Sequence, residues 1–247
     1  HKLETMLWAE ADRMRGLDIT QDNLTNQQGV VKNEVKVNVL NQPYGGFPWL
    51  DMPQYANTNW YNAHNFYGDL EDLDAAKLED VDSFFKTYYA PNNAAISIVG
   101  DFEIEEAKKW IDNYFSSIPA AEIPNQPDIS EPKQTQQKEF TKNDSLANKP
   151  AIALAYHMPE RNSTDYYAMG LLDQILVQGD NSLLAQKLEK EKGYTSDVSG
   201  GINYLGNMFN YKGPMIWMYD FTYDTETSRE DVLTAIDEVM ANLKTKI

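Results

Sequence analysis

The sequence contains no cysteine, which removes disulfides and every thiolate metal site from consideration. Histidine is almost as scarce: His1, His64 and His157 are all there are, and no two stand four residues apart. The histidine pair at helical spacing that many zinc sites use is therefore not encoded in this chain. No apolar run approaches the ~20 residues that a membrane-crossing helix needs. Basic residues number 21 against 38 acidic ones, for a net charge of −17. Such a surface repels phosphate backbones and anionic lipid, which disfavours nucleic-acid and membrane-surface roles. The glycines near Gly179 and at Gly200-Gly201 match neither the P-loop nor the dinucleotide-binding pattern, so no nucleotide site is indicated.

What is present suffices for a folded protein. A 42% hydrophobic and 12% aromatic composition over 247 residues supports a buried core, in one large domain or two of ordinary size. The first residues, His-Lys-Leu-Glu-Thr-Met-Leu-Trp, read as part of an amphipathic helix rather than a signal peptide. They begin in mid-element, as a fragment would, and His1 fits a tag remnant.

Helical spacing places Leu3, Met6, Leu7, Met14 and Leu17 on one face of residues 2–17, with Glu10 inside the stripe. Glu10 is either a buried acid near a site or the partner of Arg13 or Arg15. Cap-type residues at 18–20 predict the start of a second helix. Residues 43–65 are rich in Gly, Pro, Asn, Trp and Tyr without periodicity, and loops of that length are usually functional or flexible. A helix is predicted over 74–89, stopped by Pro91. A short apolar strand follows at 94–99, then a helix over 103–117. Between Ile118 and Lys138, four prolines among polar residues read as a linker.

Beyond it come an apolar strand at 151–156 and a helix at 164–177 with Tyr167, Leu171 and Ile175 inward. A shorter helix is predicted at 181–190, a strand at 215–223, and a last helix from about Ser228, opened by the Ser228/Asp231 pair. The halves echo each other: Ile96-Ser-Ile-Val-Gly-Asp-Phe102 before Glu105-Glu106 parallels Trp217-Met-Tyr-Asp-Phe-Thr-Tyr223 before Glu230-Asp231. The pattern predicts an α+β fold, with an antiparallel or mixed sheet layered against helices on one face and built twice.

Glu34 has two readings from pattern alone. Wound as a helix, Val30, Val31, Val35, Val37 and Val39 spread over a broad arc, and Gln27, Glu34 and Asn38 form a polar row within it. A carboxylate among valines is costly unless a cation or metal meets it. As a strand, Glu34-Val-Lys-Val-Asn-Val alternates with period two and places Glu34 on a solvated face.

Several stretches bear on that choice. Leu7-Trp-Ala-Glu-Ala-Asp-Arg-Met14, Gln28-Gly-Val-Val-Lys-Asn-Glu34 and Asn41-Gln-Pro-Tyr-Gly45 come first. His64-Asn-Phe-Tyr-Gly-Asp-Leu-Glu-Asp-Leu73, Phe85-Lys-Thr-Tyr-Tyr-Ala-Pro-Asn-Asn93 and Ile98-Val-Gly-Asp101 follow. Tyr156-His-Met-Pro159 and Gly179-Asp-Asn-Ser-Leu-Leu-Ala-Gln-Lys-Leu188 complete the order. Together they resemble the insulinase/pitrilysin family of zinc peptidases, of processing-peptidase-like type, across nearly the whole chain.

The resemblance implies a helix at Glu34 and makes Glu34 the acidic zinc ligand. It places Gln27 where the family often has a supporting acid. The family's H-x-x-E-H motif has no counterpart here, so the resemblance implies an internal fragment of a longer parent. Two related, incomplete domains are expected: residues 1–120 as the latter part of the catalytic-type domain, and 139–247 as the first part of its non-catalytic partner. A Pro-rich linker at 121–138 joins them.

The expected function is a share in a zinc endopeptidase acting on peptides or unfolded proteins. Zn2+ is expected in the parent and none in this chain alone, because catalytic zinc needs three protein ligands. Expected partners are the peptide substrate and the missing N-terminal segment of the same protein. The alternative is a non-catalytic peptidase-like subunit that binds peptide or completes an enclosing chamber. A glycan-stacking role for Trp49 and Trp60 is the third reading, against plain packing. His64 and His157 read as structural hydrogen-bonders. Bacterial periplasm and cytoplasm both suit such a peptidase.

Overall fold

The computed structural model describes residues 2–246, so His1 lies outside the described residues. In chain order the helices α1 to α7 span Leu3–Arg15, Gln21–Val35, Asp51–Ala56, Trp60–Ala63, Leu70–Ala75, Leu78–Tyr88 and Ile104–Phe115. Strand β1 (Ala151–His157), α8 (Thr164–Leu176), α9 (Leu183–Ala185), β2 (Ser199–Ile202), β3 (Ile216–Thr222) and α10 (Arg229–Lys246) complete the chain. Wider π turns extend α2 through Lys36–Leu40 and α9 through Gln186–Glu191. The result is a helix-rich α+β fold with a small antiparallel sheet.

Two compact units divide the chain. The first comprises the described residues up to Asn33 together with Asp69–Pro127; the second comprises Glu34–Gly68 and the described residues from Asp128 onward.

In the first unit, α1 lies against α7. Leu7, Ala11, Phe115 and Ile118 are buried there, with Leu3, Met14, Trp110 and Ile111 around them. Glu10 is paired with Arg13 on the exposed side of α1, as one of the two sequence readings had it. Thr20 caps α2, its hydroxyl accepting from the Asn23 N–H at 3.2 Å. The side-chain amide of Gln28 donates to the Leu73 and Ala76 carbonyls at the end of α5, and Lys32 pairs with Asp74 at 2.5 Å.

The strand expected at 94–99 is not a ladder. The segment has no regular secondary structure, and no backbone hydrogen bond is made by residues 95–101 among the described residues. Ile98 packs on the α1/α7 core while Val99 is 93% exposed. The segment has strand composition but, among the described residues, no neighbouring strand with which to pair its amides, and pairing is what makes a strand.

In the second unit β3 is central, with β1 and β2 antiparallel on either side. Alternation along β3 sends Trp217, Tyr219 and Phe221 into the main core, with Leu184, Leu188, Val232 and Ile236 opposite them. On the other face Ile216 and Met218 are also buried, and α3 lies against β1. Ser163, Ser182 and Ser228 cap α8, α9 and α10 through their hydroxyls.

The face of α8 that turns inward corrects the sequence reading. Tyr166, Asp173 and Leu176 are buried, while Tyr167, Leu171 and Ile175 are exposed, Leu171 at 67%. The apolar stripe loses because Asp173, a carboxylate on the competing face, is satisfied inside: it accepts from the Trp217 indole at 2.8 Å and from Gln178 at 3.3 Å. Hydrogen-bond donors reduce the cost of burying a carboxylate.

The Pro-rich stretch lacks regular structure, yet residues beyond Asp128 are stapled to the 44–62 region. The Tyr44 hydroxyl donates to the Lys149 carbonyl at 2.9 Å, and the Tyr44 N–H donates to Asp144 at 2.6 Å. Lys142 pairs with Asp51 at 2.8 Å. Glu131 is the tightest clamp, accepting from Asn62 Nδ2 (2.7 Å), the Thr58 N–H (2.9 Å) and hydroxyl (3.0 Å), and the Asn59 N–H (3.1 Å). Burial works against its charge, but these donors outweigh burial and hold the carboxyl below its ordinary value.

Two measurements check this packing. Leu188, fully buried between α10 and the sheet face, should cost about 2–5 kcal/mol when changed to Ala, read from the urea midpoint. The depressed carboxyl of Glu131 contributes stability above its unfolded-state pKa and loses it as pH falls through the folded value. Limited proteolysis between 128 and 138 should therefore accelerate at acid pH in the wild type. In Glu131→Ala it should already be fast at neutral pH.

Candidate metal-ligand site

Residues 30–35 are helical, so the helix reading of Glu34 holds over the strand reading. Its surroundings differ from the expectation. The valine arc splits: Val35 and Val39 are buried and Val31 half-buried, whereas Val30 and Val37 are 51% and 47% exposed. Turning at 100° per residue, the exposed face of the helix carries Gln27, Val30, Glu34, Val37 and Asn38. Glu34 faces solvent instead of sitting in a valine pocket. The reason lies on the opposite side of the turn, where Gln28 and Lys32 take the contacts to α5.

The chain downstream is bent by glycine requirements. A Cβ at Gly45 would lie 1.8 Å from the Val39 carbonyl oxygen, so only glycine fits where the loop returns across the π turn. Gly46 follows at φ +81, packed on Leu50 and Val39. This brings Trp49 onto Tyr67 edge-to-face, with ring centroids 6.1 Å apart at 72°. Tyr67 is further fixed by the Asn65–Gly68 turn. The Asn65 side-chain oxygen accepts from the Tyr67 N–H at 2.9 Å, and the Gly68 N–H donates to the Asn65 carbonyl at 2.9 Å. Asn at the first and Gly at the fourth position are favoured turn residues.

From that scaffold the Tyr67 hydroxyl donates to Glu34 Oε1 at 3.3 Å. Burial, then the charge and hydrogen bond of Glu34, raise the Tyr67 pKa above its ordinary value. Glu34 has no ion pair among the described residues.

Sequence reasoning missed Tyr67, although the turn signature Asn-Phe-Tyr-Gly was legible. The other candidates resolve as structural. His64 Nδ1 lies 3.0 Å from the Trp60 carbonyl and its ring stacks on Trp60; His157 Nε2 lies 3.0 Å from the Ala56 carbonyl. Gln27 is exposed, and nothing groups it with Glu34 beyond their shared helix face.

No cluster of three His, Asp or Glu side chains able to hold a metal exists among the described residues. A solvent-facing carboxylate without a cation partner, oriented by a phenol, fits one ligand position of a divalent cation. It does not make a site, since catalytic zinc takes three protein ligands.

This architecture is that of insulinase-like peptidase domains. A crystal structure of a protease from Helicobacter pylori superimposes with a TM-score of 0.80 at 21% identity, covering 99% of this chain and 57% of the other. A mutant of the ferredoxin protease FusC in complex with Arabidopsis ferredoxin superimposes with a TM-score of 0.64 at 16% identity, covering 90% and 24%. In sequence, the zinc protease PqqE of Helicobacter pylori (strain ATCC 700392 / 26695) is 26% identical over 202 residues, which are 79% of this chain and 44% of that protein. The family model for the peptidase M16 inactive domain matches residues 75–247. The chain belongs to the M16 peptidase family, the insulinase/pitrilysin group, and it spans less than half the length of the PqqE relative. Glu34 lies upstream of the matched residues.

The incomplete donor set yields a direct expectation. Dialysed against micromolar zinc, the 247-residue chain should retain far less than one equivalent, and Glu34→Gln should retain no less than wild type. One tightly held zinc per chain would contradict the incomplete site.

Proposed function

We propose that this chain is part of a zinc endopeptidase that hydrolyses peptides or unfolded proteins. Glu34 is its acidic metal ligand, and the H-x-x-E-H ligands and general base come from the remainder of the same protein. Residues 1–120 then belong to the catalytic-type domain, 121–138 to the connection, and 139–247 to the non-catalytic partner domain. The observation that carries the reading is the state of Glu34: a carboxylate without a cation, on a helix face flanked by exposed Val30 and Val37. Apolar side chains on either side of a charge favour a face that is covered when the protein is whole. Zinc, when bound, supplies a Lewis acid that lowers the pKa of a coordinated water. This chain's contribution is the placement of one carboxylate oxygen.

A second reading, a non-catalytic subunit that binds peptide or completes a chamber, is favoured by the inactive-domain match over residues 75–247 and by Gln27, an amide where the family often has an acid. The two readings separate in one experiment on the longer protein and its Glu34→Gln variant, assayed for zinc content and peptide hydrolysis. The proposal expects about one zinc per chain and cleavage in the wild type, both lost in the variant. Absence of zinc and cleavage from the intact wild type leaves the non-catalytic reading.

A further inference from the structure

We infer that Tyr67 is a positioning residue for Glu34: its phenol fixes the carboxylate rotamer that presents an oxygen to the metal. This rests on the reading of Glu34 as a ligand. The evidence is the way Tyr67 itself is held. Two independent constraints converge on it: the Asn65–Gly68 turn, in which the Asn65 side-chain oxygen accepts from the Tyr67 N–H and Gly68 closes at φ +69, and the edge-to-face contact with Trp49. Trp49 is in turn placed by the glycine-dependent return of the loop over the π turn that continues from the Glu34 helix. The donor and acceptor are 33 residues apart in sequence, and the elements between them bring the hydroxyl to 3.3 Å from Glu34 Oε1.

A glutamate on an exposed helix face otherwise samples several rotamers. With one oxygen engaged by the phenol, the side chain is held and the second oxygen remains free to coordinate. Hydrogen-bonded carboxylate ligands behave this way in metal sites, and losing the outer partner lowers metal affinity by about 10–100-fold. The competing role for Tyr67 is aromatic packing alone, which needs the ring and not the hydroxyl.

Tyr67→Phe separates the two, because it keeps the ring on Trp49 and deletes the donor. In the metal-free 247-residue chain, glutamate labelled at the side-chain carboxyl carbon gives an NMR resonance for Glu34, identified by its disappearance in Glu34→Gln. The expected result is a shifted Glu34 resonance in Tyr67→Phe with an unchanged melting temperature. An unmoved resonance would overturn the inference without reference to any metal.

In the longer protein, competition with a chromogenic zinc chelator should show Tyr67→Phe weakened by about 10–100-fold and Glu34→Gln weakened further. Wild-type affinity in Tyr67→Phe, with loss in Glu34→Gln, would reject Tyr67 and leave the ligand role of Glu34 standing. Zinc held equally by all three forms would reject the ligand role, and the inference with it.

Discussion

A β-strand forms only where its amides find partners, and that requirement divides this chain. Ile216–Thr222 is flanked on both sides, so every second residue can commit a large aromatic to the core without stranding its backbone. Around that one strand, α8 and α10 have a surface on which to bury Tyr166, Val232 and Ile236. Residues 94–99 are at least as apolar and also precede an acidic turn and an amphipathic helix, but among the described residues they have no flanking strand, and they remain without regular structure and largely exposed. The echo between the halves is therefore real in composition and unequal in outcome. Composition proposes the strand; a neighbour decides it.

The same rule explains the one buried carboxylate that matters to packing. Asp173 sits inside with the Trp217 indole N–H donating to it, which satisfies the indole and offsets part of the cost of burying the carboxylate. A carboxylate and an indole on different elements thus fix the rotation of α8 against β3. The outward stripe of Tyr167, Leu171 and Ile175 is a consequence of that choice.

Much of the architecture was legible because helices announce themselves locally. The starts expected at 18–20 and at Ser228 form where the Thr20 and Ser228 hydroxyls cap, whereas the face expected on α1 holds only in part: the helix ends at Arg15, and Met6 and Leu17 are exposed. What escaped was non-local. Ser199-Gly-Gly-Ile202 has no side-chain alternation to betray a strand, and its glycine is demanded by a partner far along the chain: a Cβ on Gly200 would meet Met218 and Tyr219 backbone within 3 Å. The valine arc around Glu34 predicted a helix correctly and burial incorrectly, since the contacts of Gln28 and Lys32 with α5 set which side turns in. Tyr67 was invisible as a site residue because its relevance exists only after the loop between it and Glu34 has closed.

The staples that bind Tyr44, Asp51 and Thr58 to residues 131–149 have a topological meaning. They make Asp69–Pro127 an excursion that leaves the second unit and returns to it, with both ends pinned where it departs and re-enters. The entropy of closing such a loop grows only with the logarithm of its length, about 0.6 kcal/mol for a doubling. That small cost applies only to the irregular stretches of the excursion, because α7 is packed on α1 and α5 holds Gln28 and Lys32 of α2. Length can therefore change between those helices more freely than within them.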